Sequence, residues 1–229
     1  TAPHFKIHLA RTRRDLTRFL ENLRDLRAPV IAQPFRSLPN LLVHGVRSSA
    51  GEVRALQAFL VYRKYLGVSL SLRPVTCPPD LARRCADFVA AADVTGCFHF
   101  EFLQSPVGDG SSYFLEINPR FGGSTDKVAR LGFDEPRLTL EAFGCLPAAK
   151  SLPRACLDAS VVNKRAVLSH LRNSLRGRCT EFDYPHHGPI IDALHSLYEL
   201  LFVRDALFSL ADVRGTLWSY RPKQRAKRR

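Results

Sequence analysis

The sequence predicts an α+β fold, an antiparallel sheet flanked by helices with a mostly helical C-terminal extension. Two observations carry this. Apolar, β-branched and aromatic stretches at 41–47, 53–62, 68–75, 96–104 and 112–118 are joined largely by short polar or glycine-bearing segments, the pattern of hairpins rather than parallel crossovers. Apolar residues recur at helical spacing over 12–26 and 78–92, and the chain from about Lys127 reads as mostly helical.

In chain order, Thr12 and Asp15 form a capping-box-like start, and Leu16, Phe19, Leu20, Leu23 and Leu26 follow at helical spacing until Pro29. Val30 to Phe35 reads as a short apolar strand broken by proline, followed by a Ser-Leu-Pro-Asn loop. Leu41 to Arg47 and Val53 to Tyr62 flank Ser48-Ser49-Ala50-Gly51-Glu52 as a hairpin, and Val68 to Val75 is a third strand. Pro78-Pro79-Asp80 opens a helix that sets Leu81, Cys85, Phe88, Val89 and Ala92 on one face. The strands Gly96–Gln104 and Ser112–Asn118 enclose a loop containing Gly108-Asp109-Gly110. Further on, Lys164 to Arg176, Ile190 to Phe202 and Asp205 to Tyr220 are candidate helices.

Composition excludes several classes. With 229 residues, 45% hydrophobic and 24% charged, the chain is neither a disulfide miniprotein nor a disordered chain nor a fibre. The net charge of +13 sits at the ends, with six positives and no acid in 221–229 and eight positives against three acids in 1–36. The segment between is nearly neutral, which is not how a nucleic-acid-binding face reads, so no specific nucleic acid is expected. No apolar run reaches the roughly 18 residues of a membrane span, and no secretion signal opens the chain. The six cysteines form no CxxC pair, which argues against a zinc knot and for inert thiols in a reducing compartment, so the expected localisation is cytoplasmic. The sequence has no Met, so Thr1 is read as following a cut or as opening a fragment.

The chemistry concentrates in the two aromatic strands. Paired antiparallel about the glycine-bearing loop, they bring Glu101 to Glu116 and His99 to Asn118. Alternation sets Phe98, Phe100 and Phe102 with Tyr113, Leu115 and Ile117 on a core face, and Cys97, His99 and Glu101 with Phe114, Glu116 and Asn118 on the other. Opposed carboxylates about 5 Å apart repel by roughly 3 kcal/mol at an effective dielectric near 20, a poor arrangement for a purely structural pair. A cation removes that penalty, and hard oxygen donors suit Mg²⁺ or Mn²⁺ rather than zinc. The residues alone leave a second reading open, an exposed face with one acid solvated or a register off by one. Arg120 adds a cation two residues past Asn118, ahead of the turn Gly122-Gly123-Ser124, and reads either as a phosphate or carboxylate contact or as a surface salt bridge.

Together, FEFLQ at 100–104 and YFLEINPRFGGS at 113–124 resemble the ATP-grasp superfamily, in its carbamoyl phosphate synthetase and biotin carboxylase-like branch. The resemblance is specific on Glu101, on Glu116-x-Asn118-Pro119-Arg120 and on Gly-Gly-Ser, and extends loosely from about Phe5 to Pro147. It implies the C-terminal, metal-bearing lobe of that fold at 1–150, without the N-terminal lobe, then a helical extension at 151–220 and a basic tail at 221–229. It implies ATP and Mg²⁺ (or Mn²⁺) as cofactors, with Glu101, Glu116 and Asn118 as metal ligands. Arg120 would hold the transferred phosphoryl group or the carboxylate that receives it. Gln33, Pro34 and Phe35 fall where the family's hinge touches adenine, Leu103 where an apolar residue packs on its ring, and Asn40 near the position that often carries a ribose-binding acid. The implied activity is ATP-dependent carboxylate–amine (or thiol) ligation through an acyl phosphate, with ATP and a small-molecule carboxylate as partners and no membrane. The alternative is a non-catalytic remnant that serves as a binding module.

Other residues keep two readings each. Arg63 and Arg73 read as phosphate or substrate contacts or as a solvated strand face, and His99 as a ligand-orienting group or a packed strand histidine. His186-His187 reads as a metal or substrate contact or as a solvated loop. Arg204-Asp205 resembles an Arg-Asp-Pro element of some ATP-grasp ligases or, more simply, has Asp205 capping the last helix.

Overall fold

The computed structural model describes residues 8–23, 31–105, 111–149, 157–208 and 210–220. They fall into two units, 1–36 and 37–229.

The first unit contains α1 (Arg13–Asn22), where Thr12 Oγ1 accepts a hydrogen bond from the Asp15 amide and so caps one of the open donors of the first turn. Leu26 and Pro29 lie outside the described residues. The strand expected over Val30 to Phe35 does not form in its described part: residues 31–39 carry no regular structure, and Gln33, Pro34 and Phe35 stand within this stretch. Pro34 and Pro39 have no amide hydrogen to give a ladder, so pairing starts only at Asn40.

The second unit is α+β. Its elements are β1 (Asn40–Arg47), β2 (Val53–Tyr65), β3 (Val68–Val75), α2 (Pro79–Ala91), β4 (Gly96–Gln104), β5 (Ser112–Asn118), α3 (Thr125–Arg130), α4 (Glu135–Ala142), β6 (Val161–Val162), α5 (Lys164–Ser174), α6 (Pro189–Phe202), β7 (Arg204–Asp205) and α7 (Val213–Tyr220). The seven strands form one sheet in the order β5-β4-β1-β2-β3-β6-β7, antiparallel throughout except for the β6–β7 pair. Strand β2 runs three residues past the expected end and turns into β3 through Leu66-Gly67, both at positive φ, the backbone of a tight hairpin turn.

Both faces of the sheet are covered, which is why β1, an interior strand paired with β4 and β2, is buried along nearly its whole length. On one face Leu42, Phe59, Val61, Leu72 and Cys97 pack against Val128, Leu131, Phe133 and Leu138 of the α3–α4 region. On the other, Leu41, Val43, Phe98, Phe100 and Phe102 pack against Cys85 and Val89 of α2. Gly45 lets the strands close on that side, since a Cβ there would lie 2.3 Å from the Phe98 ring. Burial pushes the thiol of buried Cys85 up to about 12 and that of half-buried Cys77 up to about 11, which keeps both unreactive as expected, whereas Cys145 is exposed and departs from that expectation.

The C-terminal segment returns to the sheet. Leu70, Val162, Val167 and Val203 form a third cluster beneath α5 and α6. Asp205 does not cap the last helix, which begins only at Val213; it lies in β7 and accepts the Lys164 amide at the start of α5.

Candidate active site on the β4–β5 strand pair

The expected register holds where the chemistry lies: His99 pairs with Asn118, Phe100 with Ile117 and Glu101 with Glu116. One step further it slips. Phe102 faces Phe114, leaving Leu115 as the extra residue of a bulge. Phe114 therefore joins the aromatic face instead of the carboxylate face, with its ring centroid 5.9 Å from Phe102 and 6.4 Å from Phe100. Strand β4 stays regular against β1, so Leu103, buried, follows Glu101 on the same face.

Asn118 Nδ2 donates to Glu116 Oε1 at 2.8 Å, and Arg120 Nη2 donates to Asn118 Oδ1 at 3.0 Å. The guanidinium is thereby tied beside the carboxylates. Across β1, Asn40 Nδ2 donates to Glu101 Oε2 at 3.4 Å, and Asn40 Oδ1 accepts from Lys64 Nζ at 3.1 Å. The His99 imidazole, with Nε2 3.6 Å from Glu101 Oε1, holds the Glu101 carboxyl below its ordinary range against the opposing effect of burial, and Asn40 and His44 add to that. Burial lowers the Lys64 ammonium, and the Glu101 carboxylate opposes that shift.

A buried polar layer fixes this arrangement from below. His44 stacks on His99 at 5.0 Å, places Nδ1 2.6 Å from Glu135 Oε1 and Nε2 3.2 Å from Ser124 Oγ. Thr125 Oγ1 donates to Glu135 Oε2 at 2.5 Å and accepts the Gly122 amide at 3.0 Å, while Lys127 Nζ holds the Gly123 carbonyl at 3.1 Å. The glycine turn is packed on His99, for a Cβ at Gly122 would lie 2.5 Å from His99 Cε1. Sequence reasoning passed over His44, Lys64, Lys127 and Glu135. His44 carried a signal, a histidine two pairs along the same strand face from Asn40; Glu135 carried none.

Lys64 reaches the site because β2 is irregular. Its register against β3 shifts between Val61 and Arg63 and again between Arg63 and Lys64, which re-aims successive side chains. Arg63 is consequently neither a phosphate contact nor solvated: it is buried, ion-pairs with Glu199, and donates to Ser196 Oγ at 3.0 Å. Arg73 is exposed. His186 is not simply solvated, since its Nδ1 lies 2.7 Å from Asp192 Oδ2. Among the described residues, Cys179 brings a potential ligand atom near His170 and Asp183 and near His186 and Asp192, but both Asp183 oxygens already accept backbone amides.

No family model matches the chain, and no curated protein matches it. Solved structures resemble it over part of its length. A biotin carboxylase–β-γ-ATP complex from Campylobacter jejuni is 15% identical with a TM-score of 0.45, over 56% of this chain and 30% of that one. The phosphoribosylaminoimidazole carboxylase ATPase subunit from Aquifex aeolicus is 17% identical with a TM-score of 0.47, over 61% of this chain and 45% of that one. A multifunctional pyruvate carboxylase from Rhizobium etli is 13% identical with a TM-score of 0.44, over 57% of this chain and 15% of that one. The chain thus spans less than half the length of each.

The donor set suits one class of ion. Two carboxylates in register, one of them held below its ordinary range, and an amide oxygen two residues on are hard oxygen donors, which fit Mg²⁺ or Mn²⁺, while the neighbouring His99 imidazole lies against the Glu101 carboxylate. Among the described residues, no helix is long and apolar enough to cross a membrane.

Proposed function

We propose that the β4–β5 site binds Mg²⁺- or Mn²⁺-ATP and activates a small-molecule carboxylate as an acyl phosphate for attack by an amine or thiol. The observation that carries this reading is the in-register opposition of Glu101 and Glu116, with Asn118 on the same line and Arg120 tied to it. Two acids facing each other across a sheet, with a guanidinium at their end, form a site for a cation and a phosphate together.

Glu101, Glu116 and Asn118 would hold the metal, which when bound offsets charge on the phosphate oxygens. Arg120 holds the transferring phosphoryl group or the carboxylate that receives it, a bidentate task suited to a planar guanidinium. The substrate carboxylate oxygen forms the new bond to the γ-phosphorus as the bond to the leaving ADP oxygen breaks; the nucleophile then displaces phosphate from the acyl carbon. No residue of the chain becomes covalently modified. His99 keeps Glu101 ionised, and Asn40 bridges Lys64 to Glu101, a positioning role that differs from the ribose contact implied by the resemblance. Leu103, two residues past Glu101 on its face, offers an apolar surface to the adenine ring.

The test is ATP-dependent phosphate release in the presence of a panel of small carboxylates, each with an amine or thiol. Arg120→Ala should abolish carboxylate-dependent release, and Arg120→Lys should retain a small part of it. Equal release by Arg120→Ala and the unaltered chain would remove Arg120 from the mechanism.

A further inference from the structure

Helix α6 is built inside out. Its buried side chains include Asp192, Ser196 and Glu199, bonded to His186, His170 and the Arg63–Ser71 pair, so the sheet side of this helix is the polar one. Its outward side is apolar. From Ile190, 75% exposed, to Phe202, 72% exposed, seven large apolar residues stand in solvent. Taken at roughly 200 Å² per large apolar residue, their fractional exposures amount to about 800 Å². That exceeds the largest apolar patch of an ordinary monomer, about 300–600 Å². It equals the share of one partner in a standard interface, about 800 Å².

We propose that this face is a two-fold interface between two copies of the chain, with α6 packed antiparallel on its counterpart about an axis opposite Ser196. A two-fold contact requires that residue i meet j and j meet i. About Ser196 the exposed positions pair as Ile190 with Phe202, Ile191 with Leu201, Leu194 with Tyr198 and His195 with Leu197. Three of those four pairings set a large apolar residue against another, and none opposes two like charges. The two acids of the helix, Asp192 and Glu199, are buried at 2% and 3% exposure and stay clear of the contact. Fourteen residues give a helix of about 21 Å, long enough for three turns to interdigitate, and antiparallel packing opposes the two helix dipoles favourably. A second copy supplies the same uncharged, self-complementary stripe, whereas a charged partner surface finds nothing to pair with on it.

The test is the mass of the chain in solution by sedimentation equilibrium at micromolar concentration. The expected result is a dimer that becomes monomeric on dilution. Leu194→Glu combined with Leu201→Glu should weaken self-association at least ~100-fold by burying carboxylates without partners. Leu197→Lys, a milder change close to the axis, should weaken it in the same direction, and circular dichroism should show that each variant keeps the helix content of the unaltered chain. A monomer across the whole range overturns the proposal. So does a dimer that either folded variant leaves intact, or a monomer whose α6 face is protected from hydrogen exchange only by a different protein.

Discussion

Replacing Glu116 by Gln should make the metal-free protein more stable while removing its response to divalent cations. Two unit charges about 5 Å apart repel by about 1 kcal/mol in a water-like medium and about 3 kcal/mol at an effective dielectric near 20. Glu101 is 27% exposed at its side chain and Glu116 is exposed, so the lower end applies, about 1 kcal/mol. Gln keeps an oxygen for the Asn118 Nδ2 bond now made to Glu116 Oε1, so little else is lost. For a chain of this size the gain is a rise of about 2–4 °C in Tm with chelator present. With Mn²⁺ at about a hundredfold its dissociation constant, the unaltered chain should gain about 2.7 kcal/mol and E116Q far less. Thermal and urea unfolding with EDTA or Mn²⁺ give all four values. A destabilised E116Q in EDTA, or equal stabilisation of both proteins by Mn²⁺, would refute the argument that the pair is held apart for a cation.

Three further outcomes follow from the geometry. Because Glu101 titrates below its unfolded value near 4.3, the stability it contributes is present above that value and is lost as pH falls through the lower folded one; His99→Gln should raise the Glu101 pKa in a carbon-13 carboxyl titration and shrink the acid-sensitive part of the stability curve. Arg63→Met leaves Glu199 buried without its cation and should cost about 3–5 kcal/mol; since burial already raises the Glu199 pKa, that variant should recover stability as pH falls from 8 towards 5, when the carboxyl takes up a proton, and a pH-independent loss would contradict this. Leu66 is a non-glycine residue at φ 52, a conformation Asn adopts more readily, so Leu66→Asn should gain up to about 1 kcal/mol in urea unfolding.

What the sequence made legible divides along physical lines. The Glu101–Glu116 opposition was readable because two strands of alternating pattern around one loop have few possible registers. The bulge at Leu115 was not, since one extra residue leaves no trace in composition yet carries Phe114 to the opposite face. The irregularities of β2 hid Lys64 in the same way and misdirected Arg63, whose fate depended on Glu199 more than a hundred residues away. Strands of two residues such as β6 and β7 have no period to detect, so Asp205 read as a helix cap. Helix α6 was found at nearly its true limits, but its facing departs from the usual amphipathic rule because Arg63 and Ser71 of the sheet beneath it, beside an apolar cluster, take its buried Glu199 carboxylate as partner.

The claim at the centre of this account is that Glu101, Glu116 and Asn118 hold a divalent cation together with ATP. Electron paramagnetic resonance of Mn²⁺ titrated into the chain with ATP present measures it directly. The account predicts Mn²⁺ bound with ATP beyond what ATP alone retains, and loss of that fraction in the Glu101→Gln/Glu116→Gln double variant. Equal retention of Mn²⁺ by the variant and the unaltered chain would contradict it.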